Sequence, residues 1–364
     1  MNDRVQSFDF LRGVAILGVV TFHVYAIFDP YNSVVSAVAP MGVYGVQLFF
    51  IVSALTMCLM WQRRASEYRP VLKFYVRRIL RIAPPFWLAM IGYIALNGVG
   101  PSQWSPEGIG ARQIVLTSAF LHGYLPDTIN SIVPGGWSIA VEMTFYAVFP
   151  VVVALKLSVR GLATFAFLVY LANVLLMDPW YQSIFAANAN LPLKDFLYFQ
   201  FFNQAPVFFV GMALFKIVSD GPAGGWVLLA LAWIVVAFIL KYLGFHASPF
   251  FWVLVSALLL FSWGCLSFRV SLWPINRLGK LSYAVYLTHF AVIQLVETTV
   301  RDRVNEYHSM ALFLSALVIT LLLCVVAASI SQATIEKWSA VVAKRIIDQL
   351  TGRNAGVSVT GTQL

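Results

Sequence analysis

Charge is what this chain has least of. Only 11% of its 364 residues are Asp, Glu, Lys or Arg, while 60% are hydrophobic. A soluble domain carries roughly 25% charged residues to keep a solvated shell, so a water-soluble globule is excluded. Cysteine is scarce too. Cys58, Cys265 and Cys324 all fall inside apolar runs, which excludes a disulfide framework and leaves small buried hydrophobes. No His/Cys/Asp/Glu group has metal-ligand spacing, and no phosphate loop or dinucleotide fingerprint occurs. The first apolar run holds Arg12 and no small-residue cleavage pattern follows it, so it reads as a retained span rather than a removable signal.

What is present is a series of continuous apolar runs, each about 18–20 residues long, enough to cross a ~30 Å hydrocarbon core. In lipid the backbone must satisfy its own hydrogen bonds, and runs without alternation do so as helices. The reading is an all-α polytopic membrane protein of about ten transmembrane helices. They are placed at 10–28, 42–62, 82–98, 137–157, 160–177, 196–216, 225–243, 249–267, 281–297 and 310–332. With both termini in the cytoplasm, 19 of the 24 Lys and Arg residues fall on the inner side, as the positive-inside bias requires. The net charge of +9 is explained by that bias, and no nucleic-acid partner is expected; membrane lipid is. Residues 113–125 are apolar but too short to cross, and breakers Pro134, Gly135 and Gly136 follow. That stretch reads as a re-entrant or interfacial outer segment beside a chamber opening outward. Residues 1–335 form the membrane domain, and 336–364 read as a short, disordered cytoplasmic tail.

Ionisable groups inside such spans mark candidate sites. Arg12 and His23 lie eleven residues apart, which returns them to within about 20° of one helix face, ~16 Å apart along the axis. Glu142 lies about as far below the outer end of its helix as His23 does below its own. The two are therefore expected to share a depth and pair, the arrangement that fixes an imidazole tautomer and raises its basicity. Such a base can take a hydroxyl proton as the oxygen attacks an acyl carbon. A proton relay in a transporter uses the same residue types. Arg78 and Arg81 share a face at the cytoplasmic start of the third span, and with Arg12 would form a cationic rim suited to phosphates. Positive-inside bias suffices for Arg63, Arg64, Arg69 and Lys73. Tyr283, Tyr286 and His289 recur every third residue in the ninth span and line a polar cavity or pack in the core. His122, His246 and His308 are given no role.

In this order the residues resemble the acyltransferase 3 family of bacterial membrane proteins. The resemblance is carried by Arg12 with His23; by Gly45 to Ser53, where Ala54 replaces the family's usual Gly; and by Arg78, Arg81 and Pro84. Trp137, Ser138, Glu142, Phe145 and Tyr146 carry it further, as do Ser282, Tyr283, Tyr286, Leu287 and His289. It implies transfer of an acyl group, most often acetyl, from cytoplasmic acyl-CoA to a glycan hydroxyl, at a bacterial inner membrane. It further implies His23 as base, Glu142 as catalytic partner, and Arg12, Arg78 and Arg81 on the donor. Trp137, Ser138, Tyr146, Tyr286 and His289 are expected near the substrate. Acyl-CoA is a co-substrate, not a permanently bound cofactor. Some relatives carry an extracellular hydrolase-like domain; this chain is expected to act alone or with a separate partner. Direct transfer is expected, because no Ser or Cys stands out as a nucleophile. The rivals are an exporter using Arg12, His23 and Glu142 as a relay, for which no paired halves are seen, and a purely structural membrane protein.

Overall fold

The computed structural model describes residues 2–220, 235–245, 248–301 and 309–351. Among them there is no strand, only an isolated bridge between Ser102 and Ser105. The helices are α1 (Asn2–Ile27), α2 (Ser33–Val38), α3 (Gly45–Arg64), α4 (Pro70–Asn97), α5 (Ala111–Ser118) and α6 (Gly136–Ala154). They continue with α7 (Val159–Ala172), α8 (Asp178–Phe185), α9 (Leu193–Phe199), α10 (Phe201–Asp220) and α11 over 235–242. The last are α12 (Pro249–Ser267), α13 (Trp273–Arg301), α14 (Met310–Ser331) and α15 (Lys337–Leu350).

Eight segments among the described residues are long and apolar enough to cross a membrane. The chain is thus an all-α polytopic membrane protein. Of the ten expected spans, 225–243 lies largely outside the described residues. The ninth is helical within α13 but is not one of the eight. Its mean hydropathy is diluted by Ser282, Tyr283, Tyr286, Thr288 and His289, and protein rather than lipid surrounds several of them: Tyr286 is 7% exposed and His289 fully buried. The tail from 336 corrects the sequence reading. Residues 337–350 are helical and pack along α4 with Ser339 and Ala343 buried, while 352–364 lie outside the described residues.

Small residues set how closely α1 approaches its neighbours. A Cβ on Gly13 would collide with the Ile275 carbonyl, and one on Gly279 with the Asp9 carbonyl. This close contact runs α1 and α13 side by side and parallel, in the manner of small-residue packing between membrane helices. Gly42 and Gly45 do the same for the chain entering α3 against Gly18 and Ala15. In α4, Pro84 and Pro85 interrupt the helical carbonyl ladder, and the Tyr283 hydroxyl donates to the neighbouring Ile82 carbonyl at 2.7 Å. Further along, the Tyr93 hydroxyl donates to Leu287 O and accepts from Ala291 N–H. That places it inside an i→i−4 step of α13, opening the turn that carries His289.

The short apolar stretch at 113–125 folds as α5 and a single tight turn at His122–Tyr124, too short to span. Residues 128–133 then pass through the protein interior. Among these, Thr128 donates to the His122 carbonyl and the Asn130 side chain caps the Trp137 N–H. Backbone of this irregular kind is tolerated at depth only when protein surrounds it.

Candidate active site

A cavity opens between α1, α3, α4, α6 and α13, with about 660 Å³ free of atoms, counting its mouth. Its wall carries Arg12, Ser53, Thr56, Arg78, Arg81, Ser138, Glu142, Tyr146, Tyr283 and Tyr286, completed by apolar residues such as Phe49 and Ile82. Five helices thus converge their polar side chains on one space.

Arg12 is fixed from two sides. Its guanidinium donates to Thr56 Oγ1 at 2.6 Å and to Asp9 at 3.3 Å, one turn before it on α1. Thr56 passes its own proton to the Val52 carbonyl, so its oxygen is left to accept. On α6, one oxygen of Glu142 accepts from both Ser53 Oγ and Tyr146 OH, each at 2.5 Å. Arg78 lies 5.3 Å over the Tyr146 ring and 5.6 Å from that of Phe74. Among the described residues, neither Arg78 nor Arg81 has a carboxylate within ion-pairing distance. Arg78 is buried and Arg81 exposed at the mouth.

Away from the cavity mouth, Tyr286 donates to Gly135 O at 3.0 Å, and Ser138 Oγ bonds its hydroxyl at 2.8 Å. Behind its ring lie the histidines. His289 and His23 meet ring to ring at 5.1 Å, and Phe290 flanks both at 4.3 Å. Each histidine has its Nδ1 against a carbonyl of its own helix: Val19 O at 2.8 Å for His23 and Tyr286 O at 2.6 Å for His289. A carbonyl only accepts, so Nδ1 carries the proton in both and each Nε2 presents a lone pair. The buried His289 Nε2 has no partner among the described residues.

The expected direct pair of His23 and Glu142 is not formed. Among the described residues they share no hydrogen bond or ion pair, and His23 is not on the cavity wall. Equal distance from two helix ends does not make equal depth. The glycine contacts slide α1 against its neighbours, so Glu142 stands with Ser53, one turn along α3 from the Thr56 that holds Arg12. Of the other expected site residues, Ser138, Tyr146 and Tyr286 reach the cavity. Trp137 instead stacks on Phe199 at 4.4 Å, and His289 backs Tyr286. Sequence reasoning missed Asp9, Thr56 and the hydroxyl of Ser53 as site groups. The signal was there: Asp9 precedes Arg12 by one turn, and Ser53 and Thr56 share a face of α3. His122, given no role, is buried and holds the Gly136 carbonyl at 3.0 Å beneath Phe86, tying the α5 region to the start of α6.

Fold and site together define a multi-pass membrane protein with a polar, arginine-walled cavity inside its helix bundle. The family model of the acyltransferase domain (acyltransferase 3) matches residues 5–329, nearly the whole chain, and the chain belongs to that family. It is a membrane acyltransferase. No curated protein and no solved structure matches it.

Proposed function

We propose that the protein moves an acyl group, acetyl by preference, from cytoplasmic acyl-CoA to a hydroxyl of a cell-surface or exported glycan. The face that carries the N-terminus is the cytoplasmic one, in a bacterial inner membrane, and the C-terminus lies on the same side. The observation that carries this reading is the cavity wall itself: three arginines converge, and only Arg12 has a carboxylate partner among the described residues. Guanidinium groups left open in this way suit phosphate oxygens.

In this reading the thioester lies in the cavity with its carbonyl toward Tyr286, and the acceptor hydroxyl approaches from the opposite face. His23 Nε2, its tautomer fixed by the Val19 carbonyl, takes the hydroxyl proton as the oxygen bonds to the acyl carbon. The C–S bond then breaks, the thiolate leaves, and the imidazolium returns the proton to sulfur. Base assistance of this kind contributes typically 10²–10⁴-fold. The Tyr286 ring stands between cavity and histidine pair, so it must swing from Gly135 and Ser138 to bring the two together. Glu142 touches neither histidine; it is a positioning residue that holds Tyr146 under Arg78.

The test is mass spectrometry of surface-glycan O-acyl groups in cells with and without the protein, paired with acetyl-CoA turnover by purified protein in vesicles. Matching glycan profiles sink the acceptor, and absence of CoA release sinks the donor. Direct transfer has its own check, aimed at Ser53, whose hydroxyl is bonded to a carboxylate on the cavity wall. Labelled acetyl that stays on the protein after donor washout, and is lost in Ser53→Ala, would replace direct transfer with an acyl-serine.

A further inference from the structure

We propose that the adenosine 3′-phosphate end of the acyl donor binds in a second pocket, formed where α1 and α13 begin and walled by Gln6, Ser271, Trp273, Asn276, Arg277 and Lys280. This rests on the acyl-CoA reading above and adds to it where the nucleotide is held.

The pocket is built rather than incidental. Ser271 Oγ donates to Gln6 at 3.2 Å, Asn276 Nδ2 donates to Ser271 at 2.6 Å, and the Asn276 oxygen accepts from Leu272 N–H. This chain of bonds joins the two helix starts into a fixed floor. Above it, Trp273, Arg277 and Lys280 follow one another at steps of four and three residues, so one face of α13 presents an indole, a guanidinium and an ammonium. The indole is 78% exposed. Neither cation has an ion-pair partner among the described residues. A flat aromatic face beside two open cations is the chemistry that takes a nucleobase and its phosphates.

The pocket and the cavity are both lined from α1 and α13. Asp9, buried, is bonded to Arg12 and lies within electrostatic reach of Lys280, so the cations of the two spaces are separated by a single carboxylate. Gln6, Arg12 and His23 all lie on α1. From Gln6 to Arg12 is ~9 Å along the axis, and to His23 ~25 Å. An extended CoA thioester is of comparable length, with nucleotide, diphosphate and acyl carbon succeeding one another in that order. Gly279, which admits no Cβ against Asp9, keeps α1 and α13, which carry both walls, in contact.

The experiment compares acetyl-CoA with S-acetylpantetheine, a donor lacking the nucleotide, on full-length protein in phosphatidylcholine nanodiscs. The Arg277→Gln/Lys280→Gln variant is expected to raise KM for acetyl-CoA at least about tenfold and to weaken binding of 3′,5′-ADP equally. Its kcat and its KM for acetylpantetheine stay as in the wild type. Trp273→Ala is expected to raise the acetyl-CoA KM roughly fivefold or more through lost stacking. Arg277→Lys/Lys280→Arg, which keeps both charges, controls for folding and should leave 3′,5′-ADP binding largely intact. The subsite is overturned if both donors shift together or neither shifts. It is also overturned if the variants respond only when anionic lipid is added, which would assign the cations to lipid headgroups. If the wild type uses neither donor, the acyl-CoA reading falls and the subsite with it; equal use of both by wild type and variant removes the subsite alone.

Discussion

Glu67 and Glu142 stand on either side of the same arginine-rich helix and treat its cations in opposite ways. Glu67, in the turn before α4, takes Arg77 at 2.7 Å and Lys73 at 3.5 Å, with Arg64 at 3.9 Å. Glu142 takes two hydroxyls instead, Ser53 and Tyr146, and no cation within ion-pairing distance. The neighbours Arg77 and Arg78 therefore have different fates: one is neutralised, the other points at a cavity with an aromatic ring beneath it. A buried cation without a carboxylate partner costs stability, and in the proposed reading the donor's phosphates supply the anion that Arg78, unlike Arg77, lacks. In that reading binding and chemistry separate in space, with arginines on the cavity wall and imidazoles beyond Tyr286.

The sharpest break of that division is His23→Ala. The variant should lose about 10²–10⁴ in kcat while its thermal shift on acetyl-CoA stays that of the wild type. A lost shift would mean that His23 helps to hold the donor, and the separation would not stand.

Next in size is the neighbouring pair. Arg78→Gln should raise the donor KM about ten- to a hundredfold, the worth of one charged hydrogen bond at roughly 1.5–3 kcal/mol. Arg77→Gln should leave KM alone and lower only the melting temperature. Steady-state kinetics on both variants decide it, and equal KM changes would erase the difference between the two glutamates. Arg12→Ala belongs with Arg78, and its effect should include loss of the donor-induced thermal shift.

Much of this was legible in the sequence. The apolar runs follow from span length, and the gathering of Arg12, Arg78 and Arg81 on one space from helical period and the expected neighbouring of their spans. The His23–Glu142 pairing was not, because depth was measured from helix ends, whereas register between helices is set by backbone contacts at Gly13, Gly42, Gly45 and Gly279. Hydropathy also misplaces two kinds of helix. It underrates α13, whose polar residues face protein, and it overlooks α15, which packs along α4 with only the small Ser339 and Ala343 buried. Ser53 was legible only as part of a motif and not as a site group, because a serine is ordinary in a membrane helix until its partner, eighty-nine residues away, is known to be a carboxylate.

A smaller change reaches the same contrast from the Glu142 side. Tyr146→Phe removes one of the two hydroxyls on the carboxylate and frees it to draw Arg78 away from the cavity. A hydrogen bond to a charged group is worth roughly 1.5–3 kcal/mol, only part of which is passed on to the donor through Arg78, so donor affinity should fall roughly fivefold, without the kcat loss of His23→Ala. Isothermal titration with CoA checks this, and unchanged affinity would mean that the tyrosine does not keep Glu142 and Arg78 apart.

The smallest effect lies at Glu67, where pH supplies the test. Burial alone would raise its carboxyl, but Arg77, Lys73 and Arg64 together hold it below its ordinary 4.5. A carboxyl lowered in the folded protein adds stability above the unfolded value, and that stability is lost as pH falls through the folded one. Glu67→Gln should therefore lower the melting temperature at pH 7 by an amount worth under about 1 kcal/mol, as expected for a partly exposed ion pair. The gap from wild type should stay constant from neutral pH downward and close only below pH 4.5. Donor KM should not move at any of these pH values, because Glu67 closes cations that the cavity never uses. A KM that tracked Glu67 would show the two glutamates to be parts of one binding device, and the distinction between Arg77 and Arg78 would dissolve.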